Sequence, residues 1–330
     1  MNRVQMLFVL VPCLVASFLP VSAWAQESDP GVHSTIPEVY PNQVFSFDFV
    51  GTSTRTQQGI QVVNQGFEGP VTLRVIEGAE EDGWTVEYAV EPESAFRSME
   101  QLPPDARAKL ADMIRVQYRV KVSPRWSPVE VLEIEALRQR FGAAFDTSIA
   151  GLEIPPDQQE AAAAYFEQVR AGVTSDSAIQ QAATEDLGIL TRGLAWGLRG
   201  GQARSWDSSG RNPVTGLFVP AQNSIRVLED ESRDGLIVLE WVQQPDPEAQ
   251  RRQLIEALRE GDREVDEASV PRVRTLHTAR YTFEWELGFV TKVEYRVETT
   301  GGGVEAIETK TWTLTGVDQP PPPMPEDADG

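Results

Sequence analysis

The sequence predicts an α+β protein built mainly of curved, antiparallel β-sheets, and two patterns carry this prediction. Apolar and polar side chains alternate with period two in both halves of the chain, for example around Tyr281 and Phe283. Between the halves, apolar residues recur at spacings of three and four, which is typical of helices that cover a sheet. We therefore expect two β-rich units, at residues 42–122 and 201–316, separated by a helical insert at residues 127–200.

The two β-rich units resemble each other in sequence. Residues 43–48 match residues 202–207, and the Arg-Val-Ile-Glu motif at 74–77 matches Arg-Val-Leu-Glu at 226–229. An Asp-Gly pair follows each motif at the same spacing, and a helix-like stretch and a long alternating strand come next in both units. The alternative is that two hairpins share a common turn pair by convergence. The agreement of order and spacing favours a duplication.

The alternating stretches define individual strands. Residues 281–287 and 293–297 predict an antiparallel hairpin that turns at Gly288, with one buried and one charged face. A last strand holds Ile307, Trp312 and Leu314. In a chain that lacks disulfides, we expect the strand tryptophans to fill the core. They are Trp84, Trp206, Trp241 and Trp285.

Three helices are expected in the insert. Ser127-Pro128-Val129-Glu130 combines a serine cap, a proline at the first helical position and a glutamate three residues after the cap. Pro155-Pro156-Asp157 opens the second helix. The third helix carries an apolar stripe at helical spacing. Its members are Ile179, Ala183, Leu187, Leu190, Leu194 and Leu198.

The end of the third helix is rich in glycine, which weakens a helix. Gly188 and Gly193 lie among apolar residues there, and glycine costs about 1 kcal/mol per interior position relative to alanine. One interpretation is a mobile lid or an interfacial segment, with Leu190, Leu194 and Trp196 as candidate ligand contacts. The other is close packing of the helix on the sheet, at positions where only glycine fits.

The N-terminal residues 1–25 have the pattern of a cleavable secretion signal. Arg3 precedes an apolar run at residues 6–19, and Ala23-Trp24-Ala25 provides the small residues that signal peptidase requires. A retained anchor needs a longer run, and a lipoprotein reading of Cys13 is disfavoured because Pro12 precedes it. We expect export to the periplasm or the extracellular space, with no transmembrane segment after cleavage.

Two polar regions flank the expected core. Residues 26–40 predict a flexible lead-in, and residues 317–330 predict a disordered, acidic tail that contains four consecutive prolines.

Composition argues against several function classes. The net charge of −21 and the pI of about 4.5 disfavour nucleic acid as a partner. Cys13 is the single cysteine, and the two histidines are His33 and His277. No metal-binding, nucleotide-binding or nucleophile motif is present. We therefore expect no cofactor and no enzymatic activity.

The paired Gln-x-x-Ser-[Phe/Trp]-Asp openings and Arg-Val-[Ile/Leu]-Glu hairpins resemble exported bacterial families built from two copies of a curved β unit. These families imply no activity and no site residues. A curved sheet with helices across it is also similar in architecture to periplasmic carriers that shield lipoprotein acyl chains. Two functions follow as expectations: a carrier for an apolar small molecule, or a structural module that binds another envelope protein.

Overall fold

The computed structural model describes most of the chain between residues 39 and 318. The described residues are 39–91, 116–149, 154–155, 159–194, 196, 202–213, 215, 217–229, 231–232, 235–260, 265–284 and 289–318. Within them the chain is an α+β protein dominated by antiparallel β-sheet, as the sequence predicts.

Eleven strands form one sheet. They are β1 (Val44–Gln57), β2 (Ile60–Ala79), β3 (Gly83–Val90), β4 (Val116–Val122), β5 (Pro128–Val131), β6 (Ala203–Arg211), β7 (Phe218–Val227), β8 (Leu236–Pro245), β9 (Arg274–Glu284), β10 (Phe289–Gly301) and β11 (Val304–Asp318). The helices of the described part are α1 (Ile134–Ile149), α2 (Gln159–Val173), α3 (Asp176–Thr191) and α4 (Pro247–Glu260), and a short 3-10 turn spans Glu267–Ser269.

The sheet joins the two halves of the chain. Its strand order is β5-β4-β3-β2-β1-β11-β10-β9-β8-β7-β6, and all neighbouring strands in this order are antiparallel. Each half is therefore a meander of sequential neighbours, and the pairing of β1 with β11 closes the seam between them. Helices α1–α3 connect the last strand of the first half to the first strand of the second.

The period-two pattern corresponds to burial in the strands. In β9, Tyr281 and Phe283 are buried, whereas Arg280 and Glu284 are exposed. Aromatic contacts then link distant parts of the chain: the ring of Phe289 stacks on Phe45 at 4.1 Å between centroids. Side chains that alternate in this way place one apolar face inward along the whole sheet.

The predicted start of the first helix is wrong. Pro128–Val131 forms β5, which pairs with β4 at the sheet edge, and the helix begins at Ile134. The backbone turns before β5 at Trp126, which has a φ of 60°, and Ser127 is part of this turn rather than a cap. Proline is tolerated at an edge strand, so the Ser-Pro-x-Glu pattern fits either structure.

The expected flexible ends extend into the folded part. Val39, at the end of the lead-in, is 6% exposed and belongs to the core. Val317 and Asp318 of the expected tail pair with Phe45 and Val44 as the end of β11. Both corrections have the same cause. Neighbouring polar residues give each segment a polar composition, although a side chain in one is buried and the backbone of the other ends a strand.

Several sequence predictions lie outside the described residues. They concern the signal segment with Cys13, His33, the helix-like stretch at 102–113, Gly197, Leu198, Trp285, the turn at Gly288 and the tail beyond Asp318. Among the described helices, none is long and apolar enough to cross a membrane.

Candidate functional site

Helix α3 and the turn after it run across the inner face of the second half of the sheet. Glu185 contacts Lys310 of β11, and the backbone oxygen of Ile189 accepts a hydrogen bond from the Tyr281 hydroxyl of β9 at 3.0 Å. Arg192 then lies over Trp241 of β8. The contact positions recur about every 3.6 residues, so one face of the helix makes them.

The turn after α3 continues this path to the sheet edge. The Trp196 ring packs on Trp206 of β6, with 4.7 Å between centroids. The Trp196 indole N–H also donates to the backbone oxygen of Arg192 at 2.7 Å. We call residues 185–194 and 196 the crossing segment, because they pass successively over β11, β9, β8 and β6.

A buried ionic cluster attaches the crossing segment to the middle of the sheet. The Lys310 ammonium contacts Glu185 at 2.7 Å, Asp186 at 3.0 Å and Glu308 at 3.3 Å. The Lys310 and Glu185 side chains are only 15% and 11% exposed. Three carboxylates therefore share one ammonium group in a region with little access to water.

The surroundings raise the pKa values of both Lys310 and Glu185, which keeps Lys310 charged and favours the neutral form of Glu185. The three carboxylates raise the pKa of Lys310 well above its usual value, despite burial. Burial raises the pKa of Glu185 to about 7, and the carboxylates of Asp186 and Glu308 add to the rise while Lys310 opposes it. Burial and the neighbouring carboxylates therefore favour the protonated form of Glu185 more than in an exposed carboxyl group.

The two glycines of the crossing segment have different surroundings. A methyl group on Gly193 would lie 2.5 Å from ring atoms of Tyr281 and 2.9 Å from Phe283, which is too close for any contact. A methyl group on Gly188 would lie at an ordinary 3.8 Å from Pro128 of β5. The close-packing interpretation therefore describes Gly193, while Gly188 has room for a side chain.

The candidate ligand contacts fall at two levels of burial. Leu190 and Leu194 are 0% and 2% exposed and belong to the core, whereas Trp196 is half-buried at the end of the segment. The segment thus brings all three together, with the two leucines inside and Trp196 at the rim. Their role as ligand contacts stays a prediction.

A row of buried polar side chains lies on the inner face of the same half. Asn223, Gln243 and His277 are aligned on neighbouring strands β7, β8 and β9, and none is more than 4% exposed. The Gln243 amide donates to Asn223 at 3.1 Å, and Asn223 donates to Ser208 of β6. The His277 Nδ1 atom and the Tyr295 hydroxyl are 2.8 Å apart.

Two polar atoms beside this row lack a hydrogen-bond partner within the protein. They are Nε2 of His277 and the indole Nε1 of Trp241, and both side chains are at least nine-tenths buried. Burial lowers the pKa of His277 to about 3, and the positive charge of Arg192 adds to this effect. His277 is therefore a neutral imidazole at physiological pH.

A cavity of about 170 Å³ lies between β4 and α1, lined by Gln117, Arg119, Leu132, Glu133, Ala136, Leu137 and Arg140. Small-molecule pockets usually measure about 300–1,000 Å³ and are mainly apolar. Among the described residues, no group of histidine, cysteine and acidic side chains is arranged to hold a metal ion.

Sequence reasoning overlooked the charged and polar residues of the site, although a signal was present. Trp312 is an expected inward residue of the last strand, and Lys310 and Glu308 lie two and four positions before it. Side chains two apart share a sheet face, so the same alternation places a lysine inward. His277 is likewise an inward residue of its strand, on the same face as Ala279 and Tyr281.

Comparisons with known proteins identify no family. No family model matches the chain, and no curated protein matches it. A solved structure that concerns lipid–protein interactions in lipovitellin aligns with 86% of this chain at a TM-score of 0.42 and 10% identity. The alignment covers 26% of the lipovitellin chain, so this chain spans about a quarter of that length. A likeness at this level carries no argument about function.

Proposed function

We propose that the protein is a non-catalytic, exported carrier for an apolar ligand, and that the crossing segment is the lid over its binding groove. The observation that carries the proposal is the position of the segment, which fills the inner face of the sheet but is attached there through buried polar contacts. In this state the lid itself occupies the groove.

Contacts on opposite sides of α3 support a sheet that curves around the helix. Gly188 adjoins Pro128 of β5, and the next residue, Ile189, is bonded to Tyr281 of β9. Seven steps separate β5 from β9 in the strand order. At about 4.8 Å per strand, a flat sheet would separate them by roughly 34 Å. A single helix of about 10 Å diameter touches both only if the sheet curves.

The polar attachment of the segment supports a lid that opens. Replacing a buried ion pair by apolar packing is often neutral or stabilising, so such a pair is weak evidence for permanent stability. The Lys310 cluster can regain water when the segment leaves, which lowers the cost of opening.

A disulfide lock tests the lid. Gly188→Cys and Pro128→Cys, combined in a Cys13→Ser background, place two thiols at the contact between α3 and β5, where a Cβ on residue 188 would lie 3.8 Å from Cγ of Pro128. We expect the oxidised protein to bind the neutral fluorophore Nile red more weakly than the parent, and dithiothreitol to restore binding.

The single-cysteine variants are the matched controls and should bind like the parent in both redox states. Unchanged binding by the oxidised double variant, with the disulfide verified by mass, would contradict the lid. Native mass spectrometry before and after organic extraction provides the second readout. A co-purified lipid-sized mass supports the carrier, and a clean apo mass argues against it.

Cross-strand rows support the duplication that the two sequence motifs predict. In the first half, Arg74 pairs with Glu87, which pairs with Arg119. The second half has the same outward row of Arg226, Glu240 and Arg280. We infer that β1–β4 and β6–β9 descend from one four-stranded unit.

An interaction module remains the second candidate, and one feature favours it. The β1–β2 and β10–β11 hairpin tips lie side by side, with Gln58 N–H bonded to the Gly303 oxygen at 2.9 Å. Near these tips, Ile60 is 69% exposed and Val62 is 50% exposed. Contiguous exposed apolar side chains often mark protein contacts. The disulfide lock distinguishes the two functions, because protein binding through these hairpin tips should be the same in the oxidised and the reduced double-cysteine variant.

A further inference from the structure

We infer that the carried ligand has an anionic head, a carboxylate, which binds between Arg192, the Trp241 indole N–H and His277 at the end of the crossing segment. This inference rests on the proposed carrier function and specifies its ligand class as a long-chain carboxylic acid. The apolar tail would then lie in the groove that α3 fills in the closed state.

The first argument is an internal comparison of the two halves. In the first half, Val71 of β2 pairs with Val90 of β3 on the neighbouring strand, and both side chains are buried. The matching positions of the second half are Asn223 and Gln243. The row continues to Val116 in the first half and to His277 in the second. The fold is therefore compatible with valine at these positions, and nothing in its architecture requires polar side chains.

Polar side chains in a buried row are costly unless they are fully paired. Asn223 and Gln243 bond to each other, but Nε2 of His277 and Nε1 of Trp241 have no partner among the described residues. His277 and Trp241 are diagonal neighbours on one face, since Trp241 pairs with Ala279, two residues after His277. Two side chains with an unpaired polar atom thus lie next to each other on the inner face of the sheet.

The charge of this region is positive. The Arg192 guanidinium lies 4.2 Å from the Trp241 ring centroid, and the structure shows no carboxylate paired with it among the described residues. In addition to burial, the positive charge of Arg192 acts on both His277 and Tyr281 and has a lowering effect on the pKa of each. A guanidinium stacked on an aromatic ring can still donate hydrogen bonds from the N–H groups at its edge. The geometry of these groups matches the two oxygens of a carboxylate.

The carbonyl groups at the end of α3 do not cancel this charge, because several are already bonded. The Leu187 oxygen accepts from Thr191, the Ile189 oxygen from Tyr281 and the Arg192 oxygen from Trp196. When the Tyr295 hydroxyl donates to Nδ1 of His277, the hydrogen of the neutral ring is on Nε2. In that tautomer Nε2 of His277 is a donor, as are the Trp241 indole N–H and the Arg192 guanidinium.

The test compares cis-parinaric acid, a fluorescent long-chain carboxylic acid, with its methyl ester, which has the same tail and no charge. We expect the parent protein to bind the acid about tenfold or more tightly than the ester, the order expected for hydrogen bonds to a charged group. Arg192→Gln should abolish this preference. Arg274→Gln, on the outer face of β9, is the matched control and should keep the preference.

Trp241→Phe provides a second variant, because it removes only the indole N–H and retains the ring under Arg192. It should reduce acid binding several-fold with little change for the ester, and circular dichroism verifies that both variants fold. Equal binding of acid and ester by the parent would overturn the anionic head while the carrier function stands. Binding of neither probe, together with an ineffective lock, would overturn the carrier function itself.

Discussion

A methyl group added at each glycine of the crossing segment gives opposite expected effects on stability. Neither Gly188 nor Gly193 has a positive φ, so alanine is compatible with both backbones. At Gly193 the new atom would lie 2.5 Å from the Tyr281 ring, and such overpacking costs about 1–3 kcal/mol. At Gly188 the nearest atom is 3.8 Å away, and removal of a helix glycine stabilises by about 0.5–1 kcal/mol.

Urea unfolding followed by circular dichroism measures both changes, with the slope of the transition as a check on two-state behaviour. The two variants should therefore differ by about 1.5–4 kcal/mol in the free energy of unfolding, the sum of the two effects. Because Gly193→Ala displaces the segment without removing core atoms, it should also increase Nile red binding. A neutral Gly193→Ala variant would refute the close packing of the segment on β9.

Two further predictions concern the attachment of the segment. The pKa of Glu185 is about 7 in the folded protein and near 4.5 in the unfolded chain, so its contribution to stability is complete below pH 4.5 and is lost as the pH rises through about 7. Glu185→Gln should remove up to about 3 kcal/mol of this pH dependence. The measurement is the melting temperature between pH 5 and 8 at constant salt. An unchanged dependence of the melting temperature on pH would contradict the burial of this carboxyl beside Lys310, Asp186 and Glu308. Trp196→Ala removes the ring contact with Trp206 and the bond to Arg192, and we expect a loss of about 1–1.5 kcal/mol in global stability and faster hydrogen exchange in the crossing segment. A loss above about 3 kcal/mol, typical of a large core residue, would argue against a lid.

Sequence periodicity predicted the regular elements because burial repeats along each of them. The alternation at Tyr281 and Phe283 predicted β9, and the stripe through Ile179 and Leu187 predicted α3 with its buried face. The helix start at Pro128 failed because a proline near a serine and a glutamate fits an edge strand as well. Local propensity does not distinguish these states, and the pairing with β4 decides between them.

The path of α3 across the sheet was not predictable from local pattern. Its apolar stripe indicates that one face is buried, but not which strands it meets. The partner of Glu185 is 125 residues away in sequence, and contacts of this range depend on the order of all strands between them. Sequence alone therefore gave the candidate residues Leu190, Leu194 and Trp196, but not the ionic cluster beside them.

Buried polar residues escape a search based on hydrophobic alternation, because the search assigns inward positions to apolar side chains only. His277 and Gln243 occupy inward positions of strands whose other inward residues are mostly apolar. They become visible when each is compared with the residue at the same row of the other half. Val90 at the position of Gln243 shows that a valine packs in that environment. Gln243 has gained a partner in Asn223, whereas Nε2 of His277 has none among the described residues; since a buried polar atom without a partner costs stability, His277 is the residue of this row that points to a role in binding rather than folding.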